Sequence, residues 1–454
     1  MKITGIEIGD YRQFKNIKFD FTYPEGHPKE GQPLEKVCFI GQSGTGKTTL
    51  LNIIWELVNT IYEAVQLPGY KALKQDSLPD NFIPDSLFSI KYFLNIGKTS
   101  IVFERDSQIE KTDKDFIDHF IKNEITKTDF YNLFDTDKLC LFIKDSIARE
   151  ADAFLFDQKE QPLSFSDFVK TDTQIEKEKA DYENRIQKAG YQKAVSLGDM
   201  ESLSTWQYLL KDISQYDEVT VQEITKIVQN TPKKQLSEQL QKWIEANPRI
   251  ELAEKCLNPI LENFFIEVDT DGGNVPIALR TKRGTKINSS HLSTGTRQLL
   301  STAIPLYKFN TKDSVILFDE PERSLFPDIQ RGLIDYYTSL APEAQFFFAT
   351  HSPIIASAFE PCERFILHFD ENGEVKCRNG VAPIGDDPND ILRKDFGMSP
   401  LVPDEGVDAY RKYLDLASRI KNEPDIQRRM ELIAERAKLG NDYNFPVATL
   451  DEKN

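Results

Sequence analysis

The sequence predicts an α/β fold built on a mixed sheet, and three observations lead to that prediction. The apolar run 37–40 is typical of a buried strand, and the apolar-faced stretch 49–58 after the next loop is typical of a helix. Two further apolar runs, 315–318 and 345–349, have the length of buried strands, and a helical pattern over 330–340 separates them. Strands that alternate with helices indicate a sheet with parallel strands.

A glycine-rich loop joins the first of these strands to its helix. Residues 41–48 have the sequence Gly-Gln-Ser-Gly-Thr-Gly-Lys-Thr, which fits G-x-x-x-x-G-K-[ST] at every fixed position. The glycines let backbone N–H groups face phosphate oxygens, and the helix N-terminus adds its positive end. Lys47 is expected to contact the β- and γ-phosphates of a nucleoside triphosphate, and Thr48 to bind Mg²⁺. The residues expected at the nucleotide are Gly41, Gln42, Ser43, Gly44, Thr45, Gly46, Lys47, Thr48 and Thr49.

The N-terminal part is predicted to contain antiparallel strands. Residues 2–22 alternate apolar and polar side chains, which predicts a hairpin that turns near 9–13. The segment 22–34 is rich in proline and glycine and is predicted as a loop. A second pair of strands is predicted at 88–93 and 99–103, on either side of a turn.

The character of the chain changes between residues 106 and 261. Charge density rises and apolar residues recur at helical spacing, so this part is predicted as a helical insertion packed on itself. Its one heptad stripe is far too short for a long coiled-coil arm. An isolated amphipathic helix that binds a partner is the alternative. The stripe consists of Ile175, Tyr182, Ile186 and Ala189.

Strand patterns return in the C-terminal half. Two strands are predicted at 264–268 and 277–279, and a closing hairpin at 365–369 and 375–378. The tail from residue 386 is charged and has a helical pattern. The predicted parts of the chain are therefore 1–105, 106–261, 262–385 and 386–454.

Polar residues that can act on a phosphate follow two of the buried strands. Asp319 ends the run 315–318 and is expected to hold the Mg²⁺ shell, and Glu320 is expected to polarise a water for attack on the γ-phosphate. His351 follows the run 345–349 and is expected to sense the γ-phosphate. Catalytic roles are therefore assigned to Lys47, Glu320 and His351.

A second potential anion site lies just before the acidic strand. Residues 292–298 open a helix with Ser293 and Gly295 at its N-terminus, where backbone N–H groups are free to meet an anion. A single chain needs only one phosphate-binding site for its nucleotide. In a pair of facing chains both sites have a use, because the loop of one chain and the helix start of the other can bind the same nucleotide. The pattern therefore predicts a homodimer in which this helix start closes on the γ-phosphate held by the other chain.

Composition limits the partners and the compartment. The 454 residues carry a net charge of −17, which does not favour binding along a DNA backbone. The five cysteines include no C-x-x-C pair, which indicates a reducing cytoplasm. No apolar run approaches the length of a membrane span, so no membrane partner is expected. One local basic group remains, formed by Arg280, Lys282, Arg283 and Lys286.

Together these motifs resemble the ABC-type ATPase head of the SMC, RecF and OLD group, over residues 1–105 and 262–380. The resemblance implies a P-loop ATPase that uses ATP and Mg²⁺. The implied fold is a mixed sheet plus an antiparallel β lobe, with a helical insertion and a helical C-terminal tail. Residues 293–298, which include Gln298, would be the signature that acts on the partner's ATP, and 322–327 would be the D-loop.

The same resemblance adds two expectations. Arg12, in the sequence Asp-Tyr-Arg-Gln-Phe, matches the arginine that this group places near the nucleotide. The group also has a Q-loop glutamine, for which Gln66 and Gln75 are the candidates.

The chain also departs from that group. A compact insertion replaces long coiled coils, and the tail has no Toprim pattern, so no nuclease activity is expected in this chain. The tail, at 388–392 and 396–397, resembles short bacterial defence ATPases such as the PtuA component of Septu systems, which work beside a separate HNH nuclease. The leading prediction is an ATP-hydrolysing dimer that regulates a nuclease effector in anti-phage defence. The alternatives are a RecF-type ATPase that binds DNA itself and a scaffold with little turnover.

Overall fold

The structure is a computed structural model in which the chain forms two compact units, Met1–Asp386 and Asp387–Asn454. The described residues are 2–66, 92–96, 99–103, 137–138, 140–156, 172–199, 203–270, 275–398, 404–443 and 445.

The first unit is organised around an eleven-stranded sheet and a small three-stranded sheet. The strands are β1 (Ile3–Tyr11), β2 (Phe14–Asp20), β3 (Lys36–Gly41), β4 (Tyr92–Ile96), β5 (Thr99–Phe103), β6 (Cys140–Ile143), β7 (Ala194–Leu197), β8 (Ile266–Val268), β9 (Leu279–Thr281), β10 (Lys286–Ile287), β11 (Val315–Asp319), β12 (Gln345–Ala349), β13 (Arg364–Phe369) and β14 (Val375–Asn379). The order in the large sheet is β5-β4-β1-β2-β14-β13-β3-β12-β11-β6-β7, and in the small sheet β10-β9-β8.

The α-helices cover the sheets or lie in the insertion and the tail. They are α1 (Lys47–Gln66), α2 (Ile147–Leu155), α3 (Asp172–Tyr191), α4 (Leu203–Leu209), α5 (Lys211–Asn230), α6 (Leu236–Glu245), α7 (Pro248–Leu252), α8 (Asn258–Leu261), α9 (Thr294–Lys308), α10 (Pro327–Leu340), α11 (Pro353–Ser357), α12 (Pro388–Lys394), α13 (Asp404–Asn422) and α14 (Ile426–Tyr443). A π-helical turn, Ala253–Leu257, joins α7 to α8.

The prediction of an α/β fold with a mixed sheet is confirmed. From β13 through β3, β12, β11 and β6 to β7 every pair of neighbours is parallel, as expected for apolar strands buried on both faces. At the other end of the sheet, β5, β4, β1 and β2 pair antiparallel and form the predicted β lobe. The tail is helical, because α12, α13 and α14 make up the described secondary structure of the second unit.

The N-terminal hairpin turns where the sequence predicted it. Tyr11 pairs with Phe14, so Arg12 and Gln13 form a two-residue turn, and Arg12 has a positive φ of 51°. The predicted loop after β2 is closed by a bridge between Thr22 and Pro33. The next predicted strand lies further along the chain than expected, at β4, and residues 88–91 are outside the described residues.

The insertion 106–261 differs from the purely helical prediction. Its described part contains α2 to α8, but it also contributes β6 and β7 to the large sheet. Both strands are only four residues long, and all four residues of Cys-Leu-Phe-Ile in β6 are buried. A short run that is apolar throughout has neither the twofold nor the 3.6-residue period, so sequence periodicity cannot assign it.

Two further boundaries differ from the prediction. The strand expected from residue 264 begins at Ile266, because Phe265 has a left-handed φ of 57° that interrupts an extended chain. The second strand of that pair is Leu279–Thr281 instead of 277–279.

Aromatic packing links neighbouring strands of the sheet, and one further aromatic contact joins the sheet to α1. Phe19, Phe21, Phe39 and Phe365 have ring centroids within 5.2–6.1 Å of one another. On the same helix, Trp55 contacts Phe142 of β6 with centroids 6.1 Å apart. Burial of such rings is the main stabilising term of a core, and here it holds the loop between β3 and α1 at the carboxyl edge of the sheet.

Candidate active site

The phosphate loop lies between β3 and α1, and its glycines have positive φ angles or close contacts that a side chain would disturb. Gly41, Gly44 and Gly46 all have positive φ, of 141°, 85° and 92°. A Cβ on Gly41 would lie 2.0 Å from the carbonyl oxygen of Leu367 in β13. A Cβ on Gly46 would lie 2.0 Å from Nε2 of Gln13. The turn of the N-terminal hairpin therefore rests directly on the phosphate loop.

Lys47 is folded over this loop. Its Nζ donates to the carbonyl oxygens of Gly41 at 2.9 Å and Gln42 at 3.1 Å, and only 5% of the residue is exposed. Burial lowers the pKa of Lys47 to about 8, and the nearby carboxylates of Asp319 and Glu320 oppose that shift. The ammonium is thus held at the centre of the loop, where it can exchange carbonyl oxygens for phosphate oxygens.

Thr48 and Asp319 bring the loop and the acidic strand together. Thr48 Oγ1 donates to Asp319 Oδ1 at 3.0 Å, and Asp319 is 8% exposed. Burial raises the pKa of Asp319 to about 6, and Glu320 raises it further, while the bond from Thr48 and the charge of Lys47 act against the shift. A hydroxyl and a carboxylate are the hard oxygen ligands that Mg²⁺ prefers, so these two residues fit the predicted metal site.

Glu320 and His351 face each other beyond Asp319. Nε2 of His351 is 4.0 Å from Oε1 of Glu320, and the side chains are 46% and 39% exposed. Glu320 has a positive φ of 47°, and its N–H donates to the carbonyl oxygen of Ala349 at 2.9 Å. Burial and the charge of Lys47 lower the pKa of His351, so a neutral imidazole is favoured beside the accessible carboxylate. The structure brings together the three residues assigned to catalysis, Lys47, Glu320 and His351.

Glu322 begins the segment that the resemblance assigns to the D-loop, and its side chain turns into its own chain. Its Oε1 accepts hydrogen bonds from Thr350 Oγ1 at 2.5 Å and from the His351 N–H at 3.1 Å. Burial raises the pKa of Glu322. The sequence offered no signal for this role, because the two partners lie 28 and 29 positions further along the chain.

The predicted signature is placed at the start of α9. Ser293 is the N-cap, and its Oγ accepts a hydrogen bond from the Thr296 N–H at 3.1 Å. Ser293 is exposed, whereas Gly295 is buried, and a Cβ there would lie 2.5 Å from the carbonyl oxygen of Ser324. Gln298 is only 2% exposed. The exposed N-cap can meet a second chain, but Gln298 is covered by its own chain and is not presented to a partner's nucleotide.

Arg12 lies in the hairpin turn next to Gln13, which touches the phosphate loop. The Arg12 side chain is exposed, and its guanidinium carbon lies 5.1 Å from the centroid of the Tyr11 ring. The turn is thus on the side of the loop that the resemblance implies. Gln13 was missed by the sequence analysis, although it neighbours Arg12 and contacts Gly46.

Of the two candidates for the Q-loop glutamine, the structure describes only Gln66. Gln66 ends α1, about 28 Å along the helix axis from Lys47 at its start. Gln75 is outside the described residues. The carboxyl end of β6 lies beside β11, because Ile143 pairs with Phe318. The segment that follows β6 ties the site to the insertion, since Asp145 forms an ion pair with Arg323.

The basic group before the signature is largely neutralised within the chain. Arg280 Nε lies 2.7 Å from Glu267, Lys282 Nζ 3.2 Å from Glu262, and Lys286 Nζ 3.6 Å from Asp269. These ion pairs reduce the positive charge that the four residues present to a DNA phosphate.

The part of the chain that the structure describes lacks two other kinds of site. None of its helices is long and apolar enough to cross a membrane. The same residues hold no cluster of three or more His, Cys, Asp or Glu side chains suited to a metal ion.

The phosphate loop with Lys47 and the acidic strand that ends at Asp319 together define a nucleotide-binding protein of the P-loop class. The profile of the family described as AAA ATPase domain matches residues 1–356, which is most of the chain, and the protein belongs to that family. No curated protein matches the sequence.

Solved structures with a similar chain include two Smc heads. The SmcHead bound to the C-winged helix domain of ScpA has 13% sequence identity and a TM-score of 0.36, covering 84% of this chain and 97% of its own. The Smc head domain with an extended coiled coil, bound to the C-terminal domain of ScpA and derived from Pyrococcus furiosus, has 14% identity and a TM-score of 0.34, with coverages of 83% and 96%.

Proposed function

We propose that this protein is a Mg²⁺-dependent ATP hydrolase with an ABC-type head. The observation that carries the proposal is the bond between Thr48 and Asp319, which joins the phosphate loop to the acidic strand beside Glu320 and His351. A loop that only bound a phosphate would not need an accessible carboxylate and a neutral imidazole on the far side of Asp319.

Each of these residues has a role in the proposed reaction. Lys47 binds the β- and γ-phosphates, and Thr48 and Asp319 hold Mg²⁺, which neutralises phosphate charge when bound. Glu320 accepts a proton from the attacking water while the oxygen bonds to the γ-phosphorus and the bond to the β-phosphate oxygen breaks. His351 donates a hydrogen bond to the γ-phosphate, for which a neutral ring with one N–H is sufficient.

The proposal includes a dimer formed through ATP. Ser293 caps α9 at an exposed helix N-terminus, where free N–H groups and the helix dipole favour an anion. In the proposed dimer this N-terminus binds the γ-phosphate held by the loop 41–48 of the other chain. Ser293 is then the exposed contributing position, and the buried Gly295 and Gln298 act by supporting the start of the helix.

Steady-state ATP turnover tests the proposal. Lys47→Ala is expected to abolish nucleotide binding, measured with a fluorescent ATP analogue, whereas exposed Lys233→Ala is the matched control and should bind normally. Glu320→Gln is expected to bind ATP but to lose at least about a hundredfold in turnover, and to accumulate as a closed dimer in light scattering. Turnover by Glu320→Gln at the unmutated rate would show that Glu320 is not the base.

We extend the proposal to a role in which the ATP state regulates a separate nuclease effector, of the HNH kind, in anti-phage defence in the cytoplasm. The resemblance of the tail to short defence ATPases supports the defence role and the nuclease partner. The five free cysteines support a reducing cytoplasm. The test is to identify the neighbouring reading frame and to measure its co-purification with the ATPase. A replication operon in place of a nuclease gene would overturn this extension.

A further inference from the structure

Two loops of the proposed active site are joined by a pair of side chains. One loop is 322–325, which follows the acidic strand, and the other is 350–352, which carries His351. Glu322 links their beginnings, because its Oε1 accepts from Thr350 Oγ1 at 2.5 Å and from the His351 N–H at 3.1 Å. Gln330 links their ends, since its Nε2 donates to the Leu325 carbonyl oxygen at 2.9 Å and its Oε1 accepts from Ser352 Oγ at 2.6 Å.

The Glu322 link is unusual in its chemistry. One carboxylate oxygen takes both hydrogen bonds, and the other, Oε2, is buried without a hydrogen-bond partner among the described residues. A buried carboxylate oxygen left unpaired is destabilising, and such groups in native structures call for an explanation, of which a role at a catalytic site is one. Packing alone would be served by an apolar side chain of similar volume.

The position of Glu322 supplies that explanation. The His351 backbone N–H is fixed by the carboxylate, and the imidazole of the same residue lies 4.0 Å from Glu320. We propose that Glu322 is a positioning residue of the active site, which sets the loop 350–352 and thereby holds His351 opposite Glu320. The inference rests on the proposed function, because it assigns Glu322 to the same ATPase site.

The hydrogen bonds define three variants with different expected effects. Glu322→Leu removes the acceptor, Glu322→Gln retains an acceptor oxygen, and Thr350→Val removes one donor at nearly constant volume. Glu322→Leu should lower kcat for MgATP at least about tenfold, with KM changed less than about threefold, because the phosphate loop is untouched. Glu322→Gln should retain kcat within about threefold.

A double-mutant cycle with His351→Ala separates positioning from general support of the fold. If Glu322 acts through His351, Glu322→Leu should cost less than about twofold in kcat once the imidazole is absent. Equal losses in the two backgrounds, or an unchanged kcat in Glu322→Leu alone, would overturn the inference. If Glu322→Leu does not fold in thermal unfolding, Thr350→Val takes its place, with a smaller loss that must show the same dependence on His351.

The two proposals fail in different ways. Absence of ATP turnover by the unmutated protein would remove the proposed function and this inference with it. Normal ATP turnover by the unmutated protein, together with additive losses in the double-mutant cycle, would refute only the role of Glu322. The proposed ATPase function would stand.

Discussion

Thr48 and Asp319, 271 positions apart in the chain, are joined by a hydrogen bond of 3.0 Å between an exposed threonine and a buried carboxylate. The bond holds a carboxylate where desolvation opposes its charge, and burial accordingly raises the pKa of Asp319 to about 6. The ionised Asp319 therefore destabilises the folded protein, and a bound cation would offset that destabilisation.

Asp319→Asn is predicted to stabilise the protein without nucleotide. The folded chain binds the Asp319 proton more tightly than the unfolded chain does. The charged carboxylate therefore lowers the free energy of unfolding at neutral pH. This destabilisation fades as the pH falls from about 6 to about 4. The neutral amide still accepts from Thr48. Urea unfolding at pH 7.5 should show a gain of about 1–3 kcal/mol, which shrinks at pH 4.

The exposed Asp181→Asn is the control for that experiment and should be neutral at both pH values. Added Mg²⁺ and ATP should stabilise the unmutated protein but not Asp319→Asn. A gain of the same size at pH 4 and pH 7.5 would show that ionisation of Asp319 is not its cause.

Gly46→Ala is predicted to distort the phosphate loop. The new Cβ would approach Gln13 Nε2 to 2.0 Å and the ring of Phe14 to 2.8 Å. The amide of Gln13 can swing away, but Phe14 is fully buried and its ring cannot. We expect a loss of at least about 2 kcal/mol in unfolding free energy, together with loss of ATP binding.

Gly284→Ala is matched to this change. Gly284 has a similar positive φ of 84°, but its Cβ would meet nothing within 4 Å. Gly284→Ala should lower the unfolding free energy by about 1 kcal/mol, from the backbone conformation alone. It should leave ATP binding unchanged. Equal effects of the two substitutions would assign the damage at Gly46 to backbone strain and not to contact with the hairpin.

Mixing two inactive variants is predicted to restore turnover. Ser293→Arg blocks the helix start, and Lys47→Ala disables the phosphate loop. A mixed dimer has one composite site with an intact Lys47 from one chain and an intact Ser293 from the other. Random pairing in an equal mixture should recover about a quarter of the unmutated turnover. No recovery would mean that Ser293 and Lys47 do not act across chains.

The basic group is predicted not to bind DNA. Ion pairs to Glu267, Glu262 and Asp269 occupy three of its four cations. A variant with Lys282, Arg283 and Lys286 changed to Gln should retain whatever DNA affinity the unmutated protein shows at 50 mM salt. Salt-dependent binding that this variant loses would favour the DNA-maintenance alternative.

The sequence carried most information where the chemistry is local. The loop 41–48 lies within eight positions, and the spacing of its glycines and Lys47 is itself the requirement for phosphate binding. Asp319 and Glu320 were recognisable because an apolar strand ends at them. They could be assigned to one site with His351 because the strands 315–318 and 345–349 were expected to be parallel neighbours. The alternation of strands and helices predicts that arrangement.

Information was lacking where a role depends on distant partners. Glu322 could not be separated from the neighbouring acids, because its inward orientation is set by Thr350 and His351 on another strand end. The strands β6 and β7 were missed because each has only four residues, too few for a period to show whether it is a strand or part of a buried helix. In both cases tertiary pairing, and not local pattern, decides the structure.

Since β6 and β7 continue the sheet beyond β11, the insertion is not a detachable module. A shortened chain that lacks residues 106–261 would leave the backbone of β11, including Asp319, as an open sheet edge. Such an edge invites pairing with other chains, so the shortened protein should aggregate instead of yielding a minimal ATPase. A smaller version of this protein would have to keep both four-residue strands.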